Sequence, residues 1–151
     1  MSLTTPLEVR PLAPSDRSAW EPLWAGYLTF YGTSVPAETT DTTWSRFLDP
    51  DEPMHALGAF HGGRLLAIVH YIFHRSTWTP GNYCYLQDLF TAEAARGRGA
   101  GRALIEEVYA RARAAGASRV YWLTQDGNAT ARALYDQVAD HPGFTIYRKL
   151  F

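Results

Sequence analysis

Arg96-Gly97-Arg98-Gly99-Ala100-Gly101-Arg102 (RGRGAGR) is the stretch on which the fold of this chain turns. It joins a β-rich run, Tyr83 to Thr91 (YCYLQDLFT), to a segment of helical spacing that begins at Gly101, with Leu104, Ile105, Val108, Ala112 and Ala115 as one apolar stripe. A helix start presents unpaired N–H groups and about half a positive charge, and so attracts anions. Glycines let the backbone come close to such a ligand and adopt positive φ. Arg96, Arg98 and Arg102 add charge-assisted donors at the same place. A strand, a glycine turn and a helix start in succession therefore predict an anion site. The Walker pattern is absent, and G-x-G-x-x-G fails because Arg102 stands where its third glycine belongs.

Outward from this turn the rest of the chain falls into short elements. Towards the N-terminus, Leu7 to Leu12 reads as a strand, and Ser15 and Asp16 suit the start of a helix carrying Trp20, Leu23, Trp24, Tyr27, Leu28 and Tyr31. Thr39 to Leu48 predicts a second helix, with Trp44, Phe47 and Leu48 on one side. Met54 to His61 and Leu65 to His74 flank His61-Gly62-Gly63-Arg64, a hairpin signal. Beyond the helix from Gly101, Gly116 suits its C-terminal stop. Arg119 to Thr124 reads as a strand, Asn128 to Val138 as a helix capped by Asn128, and Phe144 to Phe151 as a last strand. The order β-α-α-β-β-β-α-β-α-β predicts an α/β (α+β) fold, one sheet with helices on its faces, in a single domain over residues 1–151.

The formal net charge is −1, so no global basic field recruits nucleic acid or membrane, and an anion must be bound locally. Cys84 is the only cysteine, which excludes an internal disulfide and suits a reducing compartment. Met1 to Pro14 carries no signal-peptide pattern, and no window approaches a membrane span. A cytoplasmic protein is expected.

Arg96-x-x-Gly99-x-Gly101 matches the [Q/R]-x-x-G-x-[G/A] signature of the GNAT superfamily of N-acetyltransferases. Leu86-Gln87-Asp88-Leu89-Phe90 resembles the strand entering that loop in polyamine, thialysine and histone acetyltransferase-like members. Asn128, Ala131, Arg132, Leu134 and Tyr135 continue the likeness. The resemblance implies a mixed, mostly antiparallel sheet with about four helices, and acetyl transfer from acetyl-CoA to an amine without a metal. It places the CoA pyrophosphate on Arg96, Gly97, Arg98, Gly99, Ala100, Gly101 and Arg102. The pantetheine arm would lie along the main chain of Leu89, Phe90 and Thr91, with the Phe90 N–H as a candidate donor to the developing oxyanion. Asn128 would contact CoA, or serve only as a helix cap. Tyr135 would protonate the departing thiolate, or serve only as a packed aromatic.

The base is less plain. Gln87 stands where polyamine-type relatives often have glutamate, and glutamine cannot take a proton. Asp88 is adjacent but points to the opposite face of a regular strand, so it substitutes only if the strand is distorted. Gln87 thus leaves a second reading open, a CoA-binding module with little turnover. The aromatic first helices, with Asp16, Glu21, Glu38 and Asp41 interspersed, suit a small, polyamine or lysine-like amine. His70 and His74 point the same way along a strand but lack an evident acidic third ligand, so no metal is expected. Cys84 has no identifiable partner as a nucleophile. The apolar C-terminal run FTIYRKLF could pair across a homodimer, as the resemblance implies.

Overall fold

The computed structural model describes residues 6–151, so the first five residues of the Met1 to Pro14 segment, and of the 1–151 domain, lie outside the described residues. Strand β1 (Glu8–Pro11) leads through a 3₁₀ turn at Pro14–Asp16 into α1 (Arg17–Phe30) and α2 (Ala37–Leu48). Strands β2 (Met54–His61), β3 (Arg64–His74) and β4 (Tyr83–Thr91) follow, then α3 (Ala100–Ala114), β5 (Arg119–Tyr121) and α4 (Ala129–Val138). The sheet runs β1-β2-β3-β4-β5, antiparallel except for the parallel β4–β5 pair. The β2–β3 hairpin closes through Gly62 and Gly63, both at positive φ, as a two-residue turn of the favoured twist requires.

Helices cover both faces of this sheet. Trp20, Trp24 and Trp44 of α1 and α2 pack on Ala56, Phe60, Leu65 and Ile68. Leu104, Ile105, Val108 and Ala112 of α3 pack on Leu57, Ala67, Val69, Cys84 and Leu86, with Leu134, Tyr135 and Val138 of α4 at the margin. Strand β3 is buried from Leu65 to Tyr71, which explains a near-continuous apolar run interrupted only by His70. Helix α3 stops where Gly116 predicts, with Ala117 N donating to Ala112 O at 2.9 Å and Gly116 N to Arg113 O at 3.0 Å.

Several expectations shift. Ser15 caps nothing; Asp16 does the local work, its Oδ2 accepting from Ala13 N at 2.7 Å and its carboxylate taking both ends of the Arg10 guanidinium at 2.8 and 3.2 Å. Leu48 and Ala115 turn outward, because each falls at the last turn of its helix, beyond the sheet. Strand β5 ends at Tyr121 rather than Thr124. Phe144 to Phe151 forms no strand: it pairs with neither the free side of β4 nor the outer edge of β5, and Phe144, Ile146, Tyr147, Leu150 and Phe151 are exposed.

The Arg10 hydrogen bonds and charge hold the Asp16 carboxyl below the usual carboxylate range, against the cost of its burial. Its stabilisation is complete above the unfolded value of about 3.9 and fades as pH falls through the lower folded value. Asp16→Asn should therefore cost about 1–3 kcal/mol at neutral pH. That loss should shrink in acid, as urea titrations at both pH values would read.

Candidate active site

The RGRGAGR turn has the local structure an anion site needs. Gly97 lies at φ +84° and Gly99 at φ +78°, and a Cβ built on either would meet nothing within 4 Å. Gly99 is the N-cap of α3 and no side chain caps that helix. The first internal bond runs from Ala103 N to Gly99 O, so the amides of Ala100, Gly101 and Arg102 begin the helix without intrahelical acceptors. Gly101 differs from the other two glycines: its φ is ordinary, and a Cβ there would touch Leu134, Thr91 and Leu89 at 3.8–4.0 Å. It fixes where the helix start meets the end of β4. Arg96 and Arg98 are exposed and, among the described residues, have no ion-pair partner. Arg102 is already engaged by Glu106 at 3.4 Å and Gln137 at 3.1 Å, so its backbone rather than its side chain faces the turn.

Beside this turn, β4 has a free side. Its pairing with β5 covers Tyr83, Cys84 and Tyr85 and then stops, whereas β3 accompanies β4 to Thr91. Ala92 N donates to Leu66 O at 2.8 Å, which sets the alternation of the ladder. The polar main-chain groups of Phe90 are then directed at β3, and those of Leu89 and Thr91 at the open side. The expectation of a Phe90 N–H donor is corrected on this ground; the Leu89 N–H has the right direction. The Phe90 side chain instead packs on the α1 side, in edge contact with Tyr27.

The strand is distorted where it matters. His70 lies opposite Asp88 but Tyr71 lies opposite Leu86, so Gln87 is an extra residue in β4. Cys84, Leu86 and Leu89 all face α3, and that phase is possible only because the bulge resets the alternation. Asp88 consequently faces α1. Its Oδ2 lies 2.9 Å from His70 Nδ1, and its side chain is 13% exposed. Gln87 is exposed and makes no side-chain hydrogen bond among the described residues.

Around Asp88 stand Tyr27, Tyr31 and Tyr85, whose phenols are all pushed up, chiefly by burial and further by the Asp88 charge. Tyr135 is raised by burial and then by Tyr31, and packs against Trp122 with ring centres 5.3 Å apart. Asp88 is thus surrounded by protonated phenols, with Tyr135 beside Tyr31. Three of the acids expected from the first helices are held by arginines, Asp16 by Arg10, and Glu21 and Asp41 by Arg17 at 3.2 and 2.7 Å, and Glu38 is exposed.

Other expected residues fall as follows. Asn128 caps α4, its Oδ1 accepting from Ala131 N at 3.2 Å. Cys84 is fully buried and its thiol is pushed up to about 12 by that burial, which leaves it an unreactive thiol. His74 bonds the Tyr121 hydroxyl at 2.7 Å, away from His70. An acidic neighbour of His70 does exist, contrary to expectation, because Asp88 reaches it from the adjacent strand. An open depression of about 410 Å³ near Asp51, Phe73, His74 and Asn82 includes neither Asp88, His70, Tyr135 nor the glycine turn. Sequence reasoning weighed Trp20 and Tyr27 as an aromatic lining for the acceptor and His70 as a metal ligand, but did not connect them with Asp88; the bulged register of β3 against β4 does.

Comparison with known proteins supplies the family and the fold. The model of the Acetyltransferase (GNAT) family matches residues 20–139. D-amino-acid N-acetyltransferase HPA3 of Saccharomyces cerevisiae is 37% identical over 143 residues, 93% of this chain and 89% of its own. Thialysine N-epsilon-acetyltransferase of Caenorhabditis elegans is 32% identical over 88 residues, 58% of this chain and 54% of its own. Among solved structures, ribosomal-protein-alanine N-acetyltransferase from Brucella melitensis biovar Abortus 2308 aligns with TM-score 0.80 at 22% identity, covering 97% of this chain and 100% of that one. AAC(6')-Iy, in complex with a bisubstrate analog of CoA, aligns with TM-score 0.83 at 13% identity, covering 97% and 99%. At those identities the two structures speak to the fold alone.

Proposed function

The chain belongs to the GNAT family of acetyltransferases, and from that premise we propose that it acetylates the nitrogen of a small primary amine in a ternary complex with acetyl-CoA. The observation that carries this reading is that one strand, β4, has a free side, leads into an uncapped glycine turn and carries a bulge that turns the Asp88 carboxylate toward α1. The residues present suit CoA. Residues Arg96 to Arg102 offer backbone amides and two unpaired guanidinium groups to a pyrophosphate, and Leu89 and Thr91 offer main-chain partners to the pantetheine amides. Asn128 is largely committed as a cap, with its amide nitrogen left for a contact. Acetyl-CoA supplies a thioester whose carbonyl carbon bonds to the amine as the C–S bond breaks.

The chain's own groups handle the protons. An ammonium has no lone pair, so Asp88 takes a proton from it before attack. Leu89 N–H is aimed at the side where negative charge builds on the carbonyl oxygen. Tyr135, kept protonated by its burial, donates to the departing thiolate, and the second proton, released by the nitrogen after it bonds to the carbonyl carbon, restores the phenol through solvent. Gln87 has no proton-transfer role in this scheme, and a carboxylate at Asp88 favours turnover over a module that only binds CoA. The relatives' names favour an acceptor class of D-amino acids or lysine analogues over a protein. Incubation with acetyl-CoA and a panel of D-lysine, other D-amino acids, thialysine and spermidine tests the reading. Mass spectrometry should find one added acetyl group on a small amine; acetylation of none of the panel would refute it.

We also propose a cytoplasmic homodimer in which residues 144–151 pair with a second copy. What supports it is an apolar tail that lies in no helix or strand, with Phe144, Tyr147 and Phe151 more than 80% exposed. Light scattering should give twice the 16.9 kDa chain mass, and deletion of residues 144–151 should give the monomer. A monomeric full-length chain would refute the pairing.

A further inference from the structure

One buried hydrogen-bond chain lies behind the proposed base. Trp20 Nε1 is 3.0 Å from His70 Nε2, and His70 Nδ1 is 2.9 Å from Asp88 Oδ2. An indole N–H only donates. His70 Nε2 must therefore be a bare acceptor, its proton must sit on Nδ1, and Nδ1–H must donate to the carboxylate. The direction of both bonds follows from one atom that cannot accept. The His70 ring is 2% exposed and enclosed by Trp20, Trp24 and Phe47, with centroids at 6.0, 5.5 and 4.5 Å. No alternative partner is within its reach there.

We propose that Trp20 and His70 form a one-way chain that positions Asp88 as the acceptor of the substrate's proton, with His70 a positioning residue held in the Nδ1–H tautomer. His70 engages Oδ2, so the incoming ammonium would meet Oδ1, with the Tyr27 hydroxyl as a further donor to the same carboxylate. Because a second proton on the imidazole would break the Trp20 bond, His70 does not carry the proton onward; the proton stays on Asp88 until it is exchanged with solvent. The bulge at Gln87 and this chain are one device, since the bulge turns Asp88 to the face where His70 waits.

This inference rests on the reading of Asp88 as the base, and its test separates the two. The assay uses acetyl-CoA with thialysine or D-lysine, whichever turns over faster. His70→Phe keeps an aromatic ring in the pocket and removes the donor; kcat should fall about 10- to 100-fold, part of what acid–base catalysis supplies, with KM for acetyl-CoA unchanged. His70→Asn restores a donor at the Nδ1 position and should recover part of that loss. His70→Phe combined with Asp88→Asn should be no slower than Asp88→Asn alone, as for groups acting as a unit. Independently of turnover, ¹⁵N-histidine NMR of the wild-type chain should show His70 protonated on Nδ1 and bare on Nε2. A folded His70→Phe enzyme with wild-type kcat, multiplicative effects of the two substitutions, or an Nε2–H signal would overturn the chain. Full activity of Asp88→Asn would instead remove the base assignment, and with it the positioning role, while leaving the tautomer measurement to stand by itself.

Discussion

Asp88→Asn is expected to lower kcat by about 10²–10⁴ at neutral pH, the range over which a positioned proton acceptor contributes. The substitution keeps the shape of the side chain and its bulged setting, and the amide oxygen can still accept from His70 Nδ1. It removes only the capacity to take a proton from an ammonium. Affinity for acetyl-CoA should be unchanged, because the glycine turn and the open side of β4 are untouched. Raising the pH, which supplies more amine already in its neutral form, should recover part of the activity of the variant. Steady-state kinetics at two pH values with saturating acetyl-CoA would check each of these points. Unchanged kcat would assign the proton to another acceptor, since Asp88 is the one carboxylate facing Tyr27, Tyr31 and Tyr85 among the described residues.

Gly99→Asp should weaken acetyl-CoA binding by at least about 100-fold, the scale of a like-charge clash of several kcal/mol. Two physical effects add. Gly99 sits at φ +78°, ψ 12°, a conformation that costs an L-residue about 1–2 kcal/mol. The new carboxylate would also occupy the space in front of the α3 amides, which is now open. Gly99→Ala separates the two, because it carries the strain without the charge and should lose affinity far less. Gly101 is a weaker target for strain, since its φ is ordinary and an added Cβ would meet neighbours at normal contact distances. Calorimetric titration of the three proteins, each with its melting curve, measures the effects.

The glycine turn was legible because its signal is local. Three glycines, three arginines and a change from strand to helix spacing lie within one continuous stretch, and the physics of an uncapped helix start needs no distant partner. The β2–β3 hairpin and the stop at Gly116 were legible for the same reason. Asp88 was half legible: its face was derived for a regular strand, with distortion named as the one route to the site. Whether β4 bulges at Gln87 depends on how β3 packs against it, and no residue type in YCYLQDLFT announces that. The Trp20–His70 bond spans fifty positions of the chain and was hidden altogether, as was the early end of β5. The C-terminal run reads as a strand from its composition, yet a strand forms only where its backbone pairs with an edge, and composition does not say whether that pairing is made.

A crystal structure of the chain with CoA and its acceptor amine would test the central geometry most directly. The account predicts the pyrophosphate on the amides of residues 99–102 and the pantetheine arm along Leu89 and Thr91. It predicts the amine nitrogen within about 2.6–3.2 Å of Asp88 Oδ1, directly or through one water. A pyrophosphate bound elsewhere, or an amine nitrogen seated on the far side of β4 from Asp88, would contradict it.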